Sequence, residues 1–154
     1  MGRFKSTKTY DHNVGLSCAF RQWRAESHCA MLHGYALSFK FTFAAEELDE
    51  KSWVVGYGDL KEVKTWLEYM FDHTTCVAAD DPELETFHLL HDKKMIDLRV
   101  LPGGVGCERT AEFVGIYVDE WVRLQTNTRC WLESVEVREH SANSAIYYPS
   151  ATQL

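Results

Sequence analysis

The chain is short of positive charge: 16 Lys and Arg stand against 23 Asp and Glu in 154 residues, a formal net charge of −7. That balance repels a polyphosphate backbone, so a nucleic-acid partner is not expected. No apolar run reaches the length of a membrane span, and Met1 to Asn13 is polar and basic with no hydrophobic stretch of a leader. Membrane insertion and export therefore lose support. Prolines are few: Pro82, Pro102 and Pro149 fall between patterned segments, and no repeat or Pro/Gly-rich linker divides the chain. One domain at 14–148 is expected, preceded by an N-terminal segment 1–13 and followed by a C-terminal tail 149–154. The five cysteines are an odd number, widely spaced, and no Cys-x-x-Cys occurs. This argues against a disulfide framework or a cysteine-rich zinc module and fits a reducing cytoplasm.

Hydrophobic residues make up 45% of the chain, enough for a core. A first patterned segment runs from Val14 to Trp23. From Tyr35 to Ala44, Leu37, Phe39, Phe41 and Phe43 alternate with Ala36, Ser38, Lys40 and Thr42, the period of a strand. Between the two lies a polar turn, Arg24 to Gly34, carrying His28, Cys29 and His33. Asp59 is a candidate N-cap for a helix with Leu60, Val63, Leu67 and Met70 on one face, ending at Phe71-Asp72-His73. A second helix carries Ala111, Val114, Val118 and Trp121, with Glu108 near its start, where the dipole favours negative charge. A short helix around Leu84 to Leu90 and an extended piece at Ile96 to Leu101 fall between these two. Leu132 to His140 and Ser144 to Tyr148 read as a closing hairpin. The order strand, strand, helix, helix, strand, strand predicts an α+β fold, an antiparallel sheet with two helices on one face. A four-stranded sheet leaves open edges, and closing them with other subunits into a barrel predicts a homo-oligomer.

Several residues stand out chemically. Glu139 shares the parity of Val135 and Val137, so its carboxylate points to the apolar side at the end of a strand. It could anchor a heterocycle by accepting two parallel N–H bonds, it could pair with Arg138 or Arg24, or a bulge could turn it outward. Asp72-His73 offers an acid that orients an imidazole, or a helix-terminal histidine beside a solvated aspartate. Cys29, with His28 and His33 near, reads as a reactive thiol or as a small buried hydrophobe. His28 and His33 alone make too few ligands for zinc.

Cys29-Ala30-Met31-Leu32-His33-Gly34-Tyr35 resembles the Cys-x-x-x-His-Gly-His signature of the 6-pyruvoyl-tetrahydropterin and 6-carboxytetrahydropterin synthase family. Trp53 to Lys61 resembles its Trp-Val-x-Asp-Phe-x-x-Leu-Lys segment, Phe71-Asp72-His73 its Leu-Asp-His, Gly106-Cys107-Glu108 its Pro-Thr-x-Glu, and Val137-Arg138-Glu139 its Val-x-Glu. Five blocks in order are far more specific than one. The resemblance implies a T-fold, ββααββ, whose subunits form barrels, such as a homohexamer, with active sites at subunit interfaces. It implies 7,8-dihydroneopterin triphosphate or a related pterin or purine-like substrate, loss of triphosphate, zinc held by three histidines, and a place in pathways such as queuosine biosynthesis. Carried over by position, Cys29 is the proton-abstracting thiolate, Asp72 and His73 its relay partners, Glu139 the pterin anchor and Glu108 a support.

The zinc set departs from the family pattern. Only His33 is retained; Tyr35 stands where the second histidine of His-Gly-His would be, the first ligand position falls near Arg24, and Gly56 replaces an aspartate. Three readings follow: Arg24 replaces the metal by holding an oxyanion or phosphate, His28 and His33 with a further group rebuild a displaced zinc site, or the reaction is lost. The first expectation is a lyase of this type. The alternative is a non-catalytic pterin- or purine-binding oligomer with the same pocket.

Overall fold

The computed structural model describes residues 2–150. Its longest strand, β3 (His33–Ala45), organises the sheet. Phe39, Phe41 and Phe43 are fully buried on one face, as their alternation requires, while Lys40 stays exposed. Along one edge of β3 lie two strands end to end. β1 (Phe4–Tyr10) pairs with the Phe39–Ala45 half and β2 (Leu16–Phe20) with the His33–Leu37 half, both antiparallel. Between them a 3-10 turn, His12–Val14, closes on Gly15 in the left-handed region. On the other edge β3 pairs with β6 (Cys130–His140), which pairs with β7 (Asn143–Tyr147).

The helix α1 (Lys61–Phe71) buries Val63, Leu67, Met70 and Phe71, as its spacing predicts, and stops at Asp72. After it the chain enters β4 (Thr74–Ala78), then α2 (Leu84–Asp92), then β5 (Leu98–Leu101). β4 lies parallel to both β2 and β5. The long helix α3 (Cys107–Gln125) places Ala111, Val114, Val118 and Val122 against the sheet. Sheet and helices share one core, to which β2, β3, β6, α1 and α3 all contribute.

The α+β class stands, with three differences from the sequence reading. The sheet has seven strands in the order β5-β4-β2-β3-β6-β7, with β1 beside β3, and is mixed rather than purely antiparallel. The three α-helices include the short one expected between the other two, which spans Leu84–Asp92 as α2. The segment set apart at 1–13 contains β1, a full partner of β3. Its residues Phe-Lys-Ser-Thr-Lys-Thr-Tyr show no strict apolar alternation, because β1 is an edge strand held by backbone pairing. Asp59 is not an N-cap: it lies within a 3-10 turn, Tyr57–Leu60, that leads into α1. Of the expected tail 149–154, residues 151–154 lie outside the described residues.

Candidate active site

Cys29 sits in a single 3-10 turn, His28–Ala30, between β2 and β3. Side chains and backbone on both sides hold this turn in place. The Ser27 hydroxyl accepts from the Cys29 N–H at 3.3 Å, and the Gln22 N–H donates to the Cys29 carbonyl at 2.9 Å. Arg21 donates to the Ala30 carbonyl at 3.3 Å while forking onto Asp81 at 2.9 and 2.7 Å. The Asp81 side chain is 1% exposed, and the Arg21 guanidinium hydrogen-bonded to it holds its carboxyl below the usual carboxylate range, despite the opposing cost of burial. Gly34 begins the return along β3 so close to β2 that a Cβ there would stand 2.6 Å from the Cys18 carbonyl oxygen.

Glu139 lies where the β6–β7 register slips between Arg138 and His140. The irregularity frees it from the ladder and lets it turn toward the start of α3. There its carboxylate interacts electrostatically with the Tyr35 hydroxyl and with the thiol of Cys107, the first residue of α3. Burial raises the Tyr35 phenol, helped by the nearby charges of Glu139 and Cys29. Burial, with the negative charges of Glu139 and Glu108 beside it, pushes the Cys107 thiol up to about 12. Cys107 is therefore a neutral thiol at pH 7, able to donate to Glu139. Glu139 thus lies in electrostatic range of Tyr35 and Cys107, Cys29 in range of Tyr35, and the exposed Glu108 in range of Cys107.

Asp72 and His73 pair with each other, and among the described residues no hydrogen bond or ion pair joins them to Cys29 or Glu139. His73 Nδ1 is 2.6 Å from Asp72 Oδ1, so the acid fixes the imidazole as its position after α1 suggests. His73 adopts φ +56° with its side chain 87% exposed, and no contact joins it to Cys29 among the described residues. Arg24 is held by other partners. It stacks on Trp23 at 4.3 Å and pairs with Asp80 at 2.9 Å, at a cavity of about 320 Å³ that also takes in Gln22, Gly104 and Arg109.

The family's zinc does not fit the residues of one chain. His33 Nδ1 is engaged by the Met31 carbonyl at 2.7 Å, and its ring packs on Phe20 at 5.4 Å and Tyr35 at 5.5 Å. Tyr35 in turn packs on Phe20 and His140, so aromatic rings surround the position of the missing second histidine. His28 is exposed, and among the described residues no group of three His, Cys, Asp or Glu side chains could hold a metal ion. Tyr35, Cys107 and Gln22 were not among the residues that the sequence marked for the site. Only the departure from His-Gly-His signalled Tyr35, and nothing local signalled Gln22.

A family model described as 6-pyruvoyl tetrahydropterin synthase matches residues 10–150. The chain is 32% identical over 60 residues to a 6-carboxy-5,6,7,8-tetrahydropterin synthase of Rickettsia felis, 38% of this chain and 44% of that protein. With the Rickettsia typhi protein of the same name it shares 32% over 81 residues, 52% of this chain and 56% of that protein. The matches thus span about half the length of these curated relatives. In fold, it superposes on an uncharacterized protein, WS1659, of Wolinella succinogenes with TM-score 0.82 at 16% identity, covering 97% of this chain and 100% of the other. It superposes on a catalytic-residue mutant of Plasmodium vivax 6-pyruvoyltetrahydropterin synthase with TM-score 0.70 at 14% identity, covering 97% and 99%.

Proposed function

The chain belongs to the 6-pyruvoyl tetrahydropterin synthase family, and from that premise we propose that it is a pterin-type lyase whose cleft is completed by a second copy of the chain. The substrate is 7,8-dihydroneopterin triphosphate or a close relative. The observation that carries this reading is that Glu139, released by the register slip, lies in electrostatic range of Tyr35 and Cys107 at the start of α3, with Cys29 in range of Tyr35. A carboxylate re-aimed by a strand irregularity accepts paired N–H donors from the ring. The Cys29 sulfur then stands beside the ring's side chain.

In the chemistry proposed, the Cys29 thiolate takes a proton from the side-chain carbon next to the one that bears the triphosphate. The C–H electron pair becomes a C=C bond as the C–O bond breaks, and triphosphate leaves with its bonding pair. His73 of a neighbouring copy, oriented by Asp72, accepts the proton from Cys29 and returns it to the enol. Its exposure, its Nε2 without a partner among the described residues and the lack of any contact with Cys29 there support a role across an interface. Arg24 and Arg109, at their shared cavity, are assigned to the phosphate end. No step is routed through zinc, whose donor set is incomplete here.

The open outer edges of β1 and β7 support assembly into a barrel of copies. The second reading, a pterin- or purine-binding oligomer without turnover, draws on Tyr35 standing in a histidine's place among packed rings. Incubating the pure protein with dihydroneopterin triphosphate separates the two. The lyase reading expects triphosphate release, abolished by Cys29→Ala with binding largely intact. Tight binding without turnover, with or without added zinc, would end that reading in favour of the second.

A further inference from the structure

The Cys29 turn and the segment that leads into α3 are remote in sequence, and one residue joins them. Gln22 stands two residues past the end of β2. Its backbone N–H donates to the Cys29 carbonyl at 2.9 Å, and its side-chain Nε2 donates to the Val105 carbonyl at 3.0 Å. The same residue therefore holds the Cys29 turn and the segment that leads into α3. The second contact depends on Gly106, where a Cβ would overlap Gln22 Nε2 and where the backbone has φ +100°. Any other residue at 106 is strained by its backbone and drives the carboxamide out of its seat. Gly106 is followed at once by Cys107, which meets Glu139.

We propose that Gln22 is a positioning residue of the cleft: by tying the Cys29 turn to the N-terminal end of α3, it fixes the Cys29 sulfur relative to Cys107 and Glu139. Gly106 supplies the space that this tie requires. The proposal rests on reading Cys29 and Glu139 as one site, and its test needs no ligand. The native protein and the variants Gln22→Ala, Gln22→Glu and Gly106→Ala are treated with iodoacetamide, and each cysteine's labelling is followed by peptide mass spectrometry. Cys29 is half-buried, whereas Cys18, Cys76, Cys107 and Cys130 are buried, so the site resolves itself in the map.

Losing one hydrogen bond of ordinary strength releases the turn, and Cys29 labelling accelerates about fivefold in Gln22→Ala. Gln22→Glu gives the same result, because a carboxylate has no N–H for the Val105 carbonyl. Gly106→Ala does so with Gln22 still present. Labelling of Cys18, Cys76 and Cys130 stays at the native rate. Native-rate labelling of Cys29 in all three variants would overturn the proposal, as would equal acceleration at every cysteine, which reports general loosening. Titration with a pterin by fluorescence quenching separates the two levels. If Cys29 responds to Gln22 while no form binds pterin, the positioning stands and the functional reading fails. If pterin binds and Cys29 is indifferent to Gln22, the reading stands and the positioning fails.

Discussion

Cys107 opens α3 beside the charges of Glu139 and Glu108, and its protonation follows from those surroundings. Cys107 stays a thiol well above neutral pH, so below pH about 9 iodoacetamide is expected to label Cys29 far ahead of Cys107. Peptide mapping across pH 6–9 checks this, and Cys107 reacting first at pH 7 would contradict it. Glu139→Gln keeps the shape but removes the charge that accepts two N–H bonds. It is expected to weaken pterin binding about ten- to a hundredfold, the worth of a charge-assisted hydrogen bond, measured by titration. Part of this site was legible from residues alone. The ordered motif blocks marked Cys29 and Glu139, but the parity of Val135, Val137 and Glu139 assumes a regular strand, and the register slips at Glu139, so its aim could not be read from alternation. Tyr35 and Cys107 are ordinary strand and helix residues until the fold packs them against Glu139. Gln22 is recognisable only through Val105 and Gly106, more than eighty residues away in sequence.

At the scale of elements, the turn that carries Cys29 leans on the bidentate Arg21–Asp81 pair. Because the folded state holds the Asp81 carboxyl below its ordinary value, the pair stabilises the fold above pH about 4. That contribution is lost as pH falls through the lowered value. Asp81→Asn is therefore expected to cost about 3 kcal/mol at neutral pH, as breaking a buried pair does, and to melt with a shallower acid limb. Thermal melts from pH 7 to pH 3 report both; parallel curves for the two proteins would contradict the assignment. Elements with a one-sided pattern, β3, α1 and α3, were legible because one face of each meets the core. β4 was not: Thr74 to Ala78 are buried on both faces, which removes the alternation that identifies a strand. β1 escaped notice for the opposite reason, since most of its side chains face solvent and pairing with β3 alone sets its place.

For the whole molecule, the sheet ends in outer edges on β1, β5 and β7, each paired on one side only. Two of these edges, β1 and β7, flank the β3–β6 pair, the arrangement that a barrel of copies would close. Light scattering is expected to give a mass of several protomers, six in the assembly that the family resemblance implied, and a monomer at micromolar concentration would contradict closure. Assembly also bears on the chemistry, because among the described residues no contact joins Cys29 to the Asp72–His73 pair in one chain. Their union across copies is the account's central claim, and subunit mixing tests it most directly. Cys29→Ala and His73→Ala are each inactive alone on dihydroneopterin triphosphate; denatured together and refolded as mixed oligomers, they regain activity because some interfaces combine an intact Cys29 with an intact His73. Mixed oligomers that stay at the level of either parent, while mixed native and variant subunits remain active, would contradict it.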